Sequence, residues 1–147
     1  TSRAPKLIDA DALRHVGDPE RLHGQDAVLT PHEGEFAALF PEMQGSKAER
    51  VLEAARLSQS VVVLKGPDTL VASPDGRLGF APPAPAWLAS AGSGDVLSGM
   101  IAAYRARGMA AFEAACAGVW VQGQAAKIAG PSMIADDLIT AISAIEA

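Results

Sequence analysis

The chain has 147 residues, a formal net charge of −5 and 49% hydrophobic residues. That length supports one domain with a real core, and the acidic balance speaks against nucleic acid as the main partner, because phosphate-backbone binding wants a basic surface. No apolar run approaches the roughly 18 residues of a membrane span. The lone cysteine, Cys116, excludes an intramolecular disulfide, and the expectation is a cytoplasmic chain without a signal peptide.

"KLIDADAL" opens as a short apolar strand and ends in acids, Asp9 and Asp11. Acids at the C-terminal end of a strand mark a common place for a site in an open α/β sheet; alternatively Asp11 caps the next helical turn. "RHVGDPERLHG" reads as a polar loop, with no role for His15 or His23. In "DAVLTPHEGEFAALF", Ala27–Leu29 reads as a strand, Thr30 as an N-cap, Pro31 as the first helical residue, and Glu33 as the end of a Thr-x-x-Glu capping box. His32 and Glu35 then fall in the first turn of a helix above a strand end.

"SKAERVLEAARLSQS" predicts an amphipathic helix over Ser46–Ser60 with a Ser46/Glu49 capping box. "SVVVLKG" is a buried strand ending in Lys65 and Gly66. A hairpin follows, Thr69–Ala72 and Leu78–Ala81 around a Pro-Asp-Gly turn. "PPAPAW" is a stiff connector. Three helices finish the chain: Gly94–Arg107, with Leu97, Met100, Ile101 and Tyr104 at helical spacing; Met109–Ala129, rich in alanine and containing Cys116 as a buried small residue; and Ser132–Glu146, with Ile134, Leu138, Ile142 and Ile145 on one face. Strands alternating with helices predict a mostly parallel sheet covered by helices.

Three motifs carry chemistry. "ASAGSGDVLSG" places glycines in front of a helix whose first turn holds Asp95. Glycines let the backbone approach a ligand, and a helix N-terminus offers free N–H groups and a positive dipole end, a combination that binds phosphate. Asp95 could there take a proton from a substrate hydroxyl; otherwise it is a first-turn acid after a tight turn. "LKGPDT" could hold a nucleotide phosphate, or simply end a strand in an exposed lysine. In "TPHEGE", His32 could touch a substrate and Glu35 could hold Mg²⁺ through water; otherwise they are a surface histidine and a capping acid.

In order and spacing, "DADAL", "LTPHEGEF", "LKGPDTLVASPDGR" and "LASAGSGDVLSGMIAA" resemble the ADP/ATP-dependent NAD(P)H-hydrate dehydratases of the ribokinase-like superfamily. Gly-Ser-Gly-Asp alone indicates the superfamily; histidine in "TPHEGE", where related vitamin kinases usually carry asparagine, narrows it to the dehydratases. The resemblance implies a ribokinase-like three-layer α/β/α fold and a repair reaction. A hydrated NADH or NADPH is phosphorylated with ADP or ATP, phosphate leaves, and the reduced nicotinamide returns. Carried onto this sequence, Asp95 would be the base on the hydrate hydroxyl, and Gly92, Ser93 and Gly94 the anion hole. Lys65, Gly66, Pro67, Asp68 and Thr69, with Gly94, would line the adenine-nucleotide site. His32 would contact the hydrate, and Glu35 would belong to the magnesium-associated element. Mg²⁺ and ADP (or ATP) are the implied cofactor and co-substrate, and a homo-oligomer the implied assembly.

The family domain is longer than this chain. The resemblance, running from about Lys6 onward, therefore implies that residues 1–147 are the C-terminal part of one domain lacking its N-terminal strands. Gln122 stands in "VWVQG" where the family often has histidine. Two other readings remain: a small-molecule kinase of the same superfamily acting on a vitamin precursor, and a non-catalytic nucleotide-binding domain.

Overall fold

The computed structural model describes residues 4–146. Five strands form one sheet in the order β1 (Lys6–Ile8), β2 (Ala27–Leu29), β3 (Val61–Leu64), β4 (Leu70–Ala72), β5 (Leu78–Phe80). β1, β2 and β3 run parallel, and β3, β4 and β5 antiparallel. The parallel half is joined by helical crossovers. The antiparallel half is the expected hairpin, which turns at Gly76 with φ +93°.

The apolar runs of β2, β3 and β4 are buried on both faces, as strands covered on both sides must be. Alternate side chains therefore feed two cores. Ala27, Leu29, Val62, Leu64, Leu70 and Ala72 pack against Phe36, Leu39, Val51, Ala54 and Ala55. These come from α2 (Glu33–Leu39) and α3 (Lys47–Ser58), while Leu13 comes from α1 (Asp11–Val16). Val28, Val61, Val63 and Val71 face the other way, onto Leu97, Ile101, Tyr104, Ala114 and Ala115. Those lie on α4 (Ser93–Ala106) and α5 (Ala111–Ala129). The result is three layers, helix, sheet and helix. Outside the third layer, α6 (Ala135–Glu146) packs on α5 through Leu138 and Ala141, with Met133 of the preceding loop in the same cluster.

Alanine and glycine on α5 let it lie close to α4. A Cβ added at Gly118 would come within 2.8 Å of Ile101 Cγ1, closer than carbon atoms tolerate. The hairpin is pinned to α5 by Arg77, which pairs with Asp75 and Glu113 and lies 4.6 Å from the Phe112 ring centroid.

The structure departs from the sequence pattern at several points. The segment expected to be a polar loop folds as α1 and a 3₁₀ turn at Pro19–Leu22, because Leu13 and Leu22 are buried in the first core. His15 and His23 point outward from it, each within hydrogen-bond distance of a backbone carbonyl, Asp11 O and Leu57 O. Ile134 precedes α6 and is 60% exposed; Ala141 takes the inward position. Cys116 is half-buried rather than buried, and it lies near Arg77 and Glu113. Burial first, and Glu113 second, push its thiol pKa up. Among the described residues no helix is long and apolar enough to cross a membrane.

Candidate active site

The C-terminal ends of β1 and β3 reach the N-terminal half of α4 through Asp9, bonded to Ser98, and Lys65, beside Gly94. Asp9 directly follows β1, Thr30 to His32 follow β2, and Lys65 directly follows β3. That is where an open α/β sheet places ligands.

After β2 the backbone stays extended for longer than the sequence suggests. Lys65 N donates to Pro31 O at 2.9 Å, and His32 bridges Lys65 in parallel. The helix therefore cannot start at Thr30. It starts after His32, which is the true N-cap of α2: its Nδ1 accepts from the N–H of Gly34 and Glu35 at 3.0 and 3.2 Å. Glu35 Oε2 accepts from His32 N–H at 2.9 Å, completing the box, and Oε1 lies 3.4 Å from His32 Nε2. The capping box is thus His-x-x-Glu and not Thr-x-x-Glu. An accepting Nδ1 means that His32 carries its proton on Nε2 when neutral, and the ring is 59% exposed. Glu33, displaced from the cap, forms a two-pronged pair with Arg50 at 3.1 and 3.2 Å. That guanidinium holds the Glu33 carboxyl below its ordinary value.

Gly92 caps α4 at φ +84°, a conformation suited to glycine, and contributes no side-chain cap. Ser93 N–H turns back to Ser90 O at 3.2 Å, and the carbonyl of Ser93 accepts from Gln122 Nε2 at 2.7 Å. Gly94 and Asp95 follow in the first helical turn, and Asp95 is exposed. Of the expected anion hole, Ser93 N–H is already used by the chain, while Gly92 and Gly94 keep the backbone open.

Lys65 turns toward this helix. Its Nζ lies 3.4 Å from where a Cβ on Gly94 would be and 3.2 Å from Asp9 Oδ1. Asp9 Oδ2 accepts from Ser98 Oγ at 2.6 Å, and Asp9 Oδ1 also accepts from Ala10 N–H at 2.9 Å. Burial raises the Asp9 pKa, but Ser98, Thr30, Lys65 and the Ala10 N–H together outweigh it and leave it lowered. Thr30 Oγ1 is buried without a hydrogen bond of regular geometry, yet its hydroxyl still favours the anion. The sequence assigns no site role to Asp9, Ser98 or Gln122: Asp9 stands out only as an acid ending a strand, Gln122 only as a departure from the family's usual histidine, and Ser98 not at all. The acids closing "KLIDADAL" are the one signal for Asp9; nothing local in sequence pairs it with residues far along the chain.

The rest of "LKGPDT" forms a closed turn. Thr69 Oγ1 accepts from Gly66 N–H at 3.2 Å and donates to Gly66 O at 3.0 Å. Asp68 pairs with Lys47 Nζ at 2.7 Å, which holds its carboxyl below the ordinary value. Gly66, Pro67 and Thr69 line a groove completed by the proline connector and by Trp120 and Gln124 of α5. A second cleft opens between α1 and α2, with His32, Glu35 and Arg14 on its wall. Asp95 lines neither of these two clefts. Among the described residues no three or more His, Cys, Asp or Glu side chains gather as a metal cage.

This arrangement, strand ends facing a glycine-capped helix in a three-layer α/β/α frame, defines a ribokinase-like fold. A hydroxyethylthiazole kinase from Pyrococcus horikoshii shares it at TM-score 0.78 and 22% identity, over 94% of this chain and 59% of that one. The chain belongs to the NAD(P)H-hydrate dehydratase family, which it matches over residues 1–145. It is 39% identical to the ADP-dependent (S)-NAD(P)H-hydrate dehydratase of Neisseria meningitidis, over 84% of this chain and 45% of that protein. It is 38% identical to the bifunctional NAD(P)H-hydrate repair enzyme Nnr of Escherichia coli, over 97% of this chain and 29% of that one. The ADP/ATP-dependent NAD(P)H-hydrate dehydratase of Bacillus subtilis, co-crystallised with ATP and Mg²⁺, superposes at TM-score 0.80 and 30% identity, over 99% of this chain and 57% of that one. The chain thus spans about half the length of the single-function dehydratases it matches.

Proposed function

We propose that this chain carries the nucleotide and phosphoryl-transfer half of a dehydratase that restores NADH and NADPH from their hydrates, with ADP or ATP as phosphate donor. The observation that carries the reading is the meeting of Lys65 and the glycine-capped N-terminus of α4, with Asp95 in its first turn. A cation and a helix N-terminus side by side make a seat for anionic phosphate. An exposed carboxylate in that turn can accept the proton of a substrate hydroxyl as phosphate transfers to it.

In this reading Asp95 is the base, Gly92 and Gly94 open the backbone at the anion hole, Ser93 shapes its turn through its bonds to Ser90 and Gln122, and the Lys65–Thr69 turn and groove take the nucleotide. His32 presents its Nε2 side to the hydrate while its Nδ1 caps α2. Glu35 would hold Mg²⁺ through water. In this reading the chain works as a homo-oligomer. A chain of this chemistry works in the cytoplasm, where NADH and NADPH are.

The test is product analysis. With NADH hydrate, MgADP and the chain, NADH, AMP and phosphate should appear in equal amounts. Asp95→Asn should abolish all three while leaving the melting temperature unchanged. Stable accumulation of a phosphorylated substrate, with no NADH, would favour a kinase instead.

A further inference from the structure

We propose that Asp9 is a positioning residue that holds the Lys65 ammonium over the first turn of α4, where it completes the seat for the nucleotide's phosphates. The proposal rests on the nucleotide-binding reading above and names a residue which that reading does not use.

An ammonium beside a helix N-terminus is next to a partial positive charge, and the two repel. Left alone, Lys65 would gain by swinging into water. It stays because Asp9 Oδ1 lies 3.2 Å from Nζ, with the Lys65 and Asp9 side chains only 21% and 14% exposed respectively. Asp9 is itself held from two further sides. Ser98 Oγ holds its other oxygen at 2.6 Å, and Ser98 stands one turn beyond Asp95 on the same helix. The backbone adds a third constraint. Ala10 takes φ +48°, ψ −128°, unusual for a residue with a Cβ, and from there its N–H donates to Asp9 Oδ1 at 2.9 Å. Strain kept at one residue, three donors on one carboxylate and a cation aimed at a helix terminus all converge on the same point. The lowered Asp9 pKa agrees, since it keeps the carboxylate charged at neutral pH.

The test is a double-mutant cycle on ADP affinity, measured by calorimetry with Mg²⁺ on the whole chain. Asp9→Asn should weaken ADP about tenfold, the usual scale for losing a charge-assisted contact. Lys65→Met should weaken it at least as much, and the double variant should be no weaker than Lys65→Met alone. Adenosine, which has no phosphate, should bind all four chains equally, a result that a merely structural role for Asp9 would not give. If Asp9→Asn fails to fold, Ser98→Ala carries the same test with a smaller loss, again absent for adenosine. Additive losses, equal losses for adenosine, or no ADP binding by the unaltered chain would overturn the proposal. The expected coupling in a chain that never turns over NADH hydrate would leave it standing and overturn the dehydratase reading alone.

Discussion

The side chain of Gln122, buried on α5, donates from Nε2 to the carbonyl of Ser93 at 2.7 Å, so a third-layer helix directly holds the glycine turn that opens α4. The position often carries histidine in the family the sequence resembles; here glutamine fixes the turn from behind.

Gln122→Leu keeps the volume but removes the donor. The chain should lose about 1 kcal/mol of stability, the net worth of one hydrogen bond, read from urea unfolding. ADP affinity should fall as the turn loosens. Unchanged stability would mean the contact contributes nothing.

Gly118→Ala should cost more, because the new methyl would lie 2.8 Å from Ile101 Cγ1 and must push α5 off α4. A loss of about 1–3 kcal/mol is expected for overpacking of this kind. Gly123→Ala, with nothing within 4 Å of its added Cβ, should be neutral or stabilising and serves as the control.

His32→Asn separates two roles. Asparagine is a good N-cap, so it should keep α2 within a few tenths of a kcal/mol of the original, whereas His32→Ala should lose about 1 kcal/mol. Both should raise KM for the hydrate if the Nε2 side meets substrate. Equal KM values for the original chain and His32→Asn would remove His32 from the substrate site.

The acid limb of stability should carry an Asp9 component. Its folded pKa lies below the ordinary value, so the stabilisation is present above that ordinary value and is lost as pH falls through the folded one. The stability gap between the original chain and Asp9→Asn should therefore be constant from neutral pH down to about 5 and shrink below about 4. A gap that is flat throughout would contradict the ion pair.

Much of this fold is legible in the sequence because its signals are local. The valines and leucines of β2 and β3 read as buried strands, the Ser46 cap and the Gly76 turn announce themselves, and both hairpin strands fall within two residues of expectation. The sequence points to Thr30-x-x-Glu33 as the α2 cap because threonine is a standard capping-box residue and histidine is not, whereas the structure uses His32-x-x-Glu35. The bridge between His32 and Lys65 keeps the backbone extended past Thr30, and a sequence does not show it. The same holds for the site. Asp95 and its glycines are contiguous and therefore readable. Asp9, Lys65 and Ser98 are held together only by the sheet and by α4 crossing it, and Gln122 reaches Ser93 from a different helix, 29 residues further along the chain.

The most direct test of the central claim is absorbance at 340 nm on this chain with MgADP and NADH hydrate. A rise that needs the nucleotide and vanishes in Asp95→Asn is the expected result. A nucleotide-dependent rise that persists in Asp95→Asn would contradict the assignment of the base. No rise, either from this chain or from one extended to the length of its dehydratase relatives, would contradict the function itself.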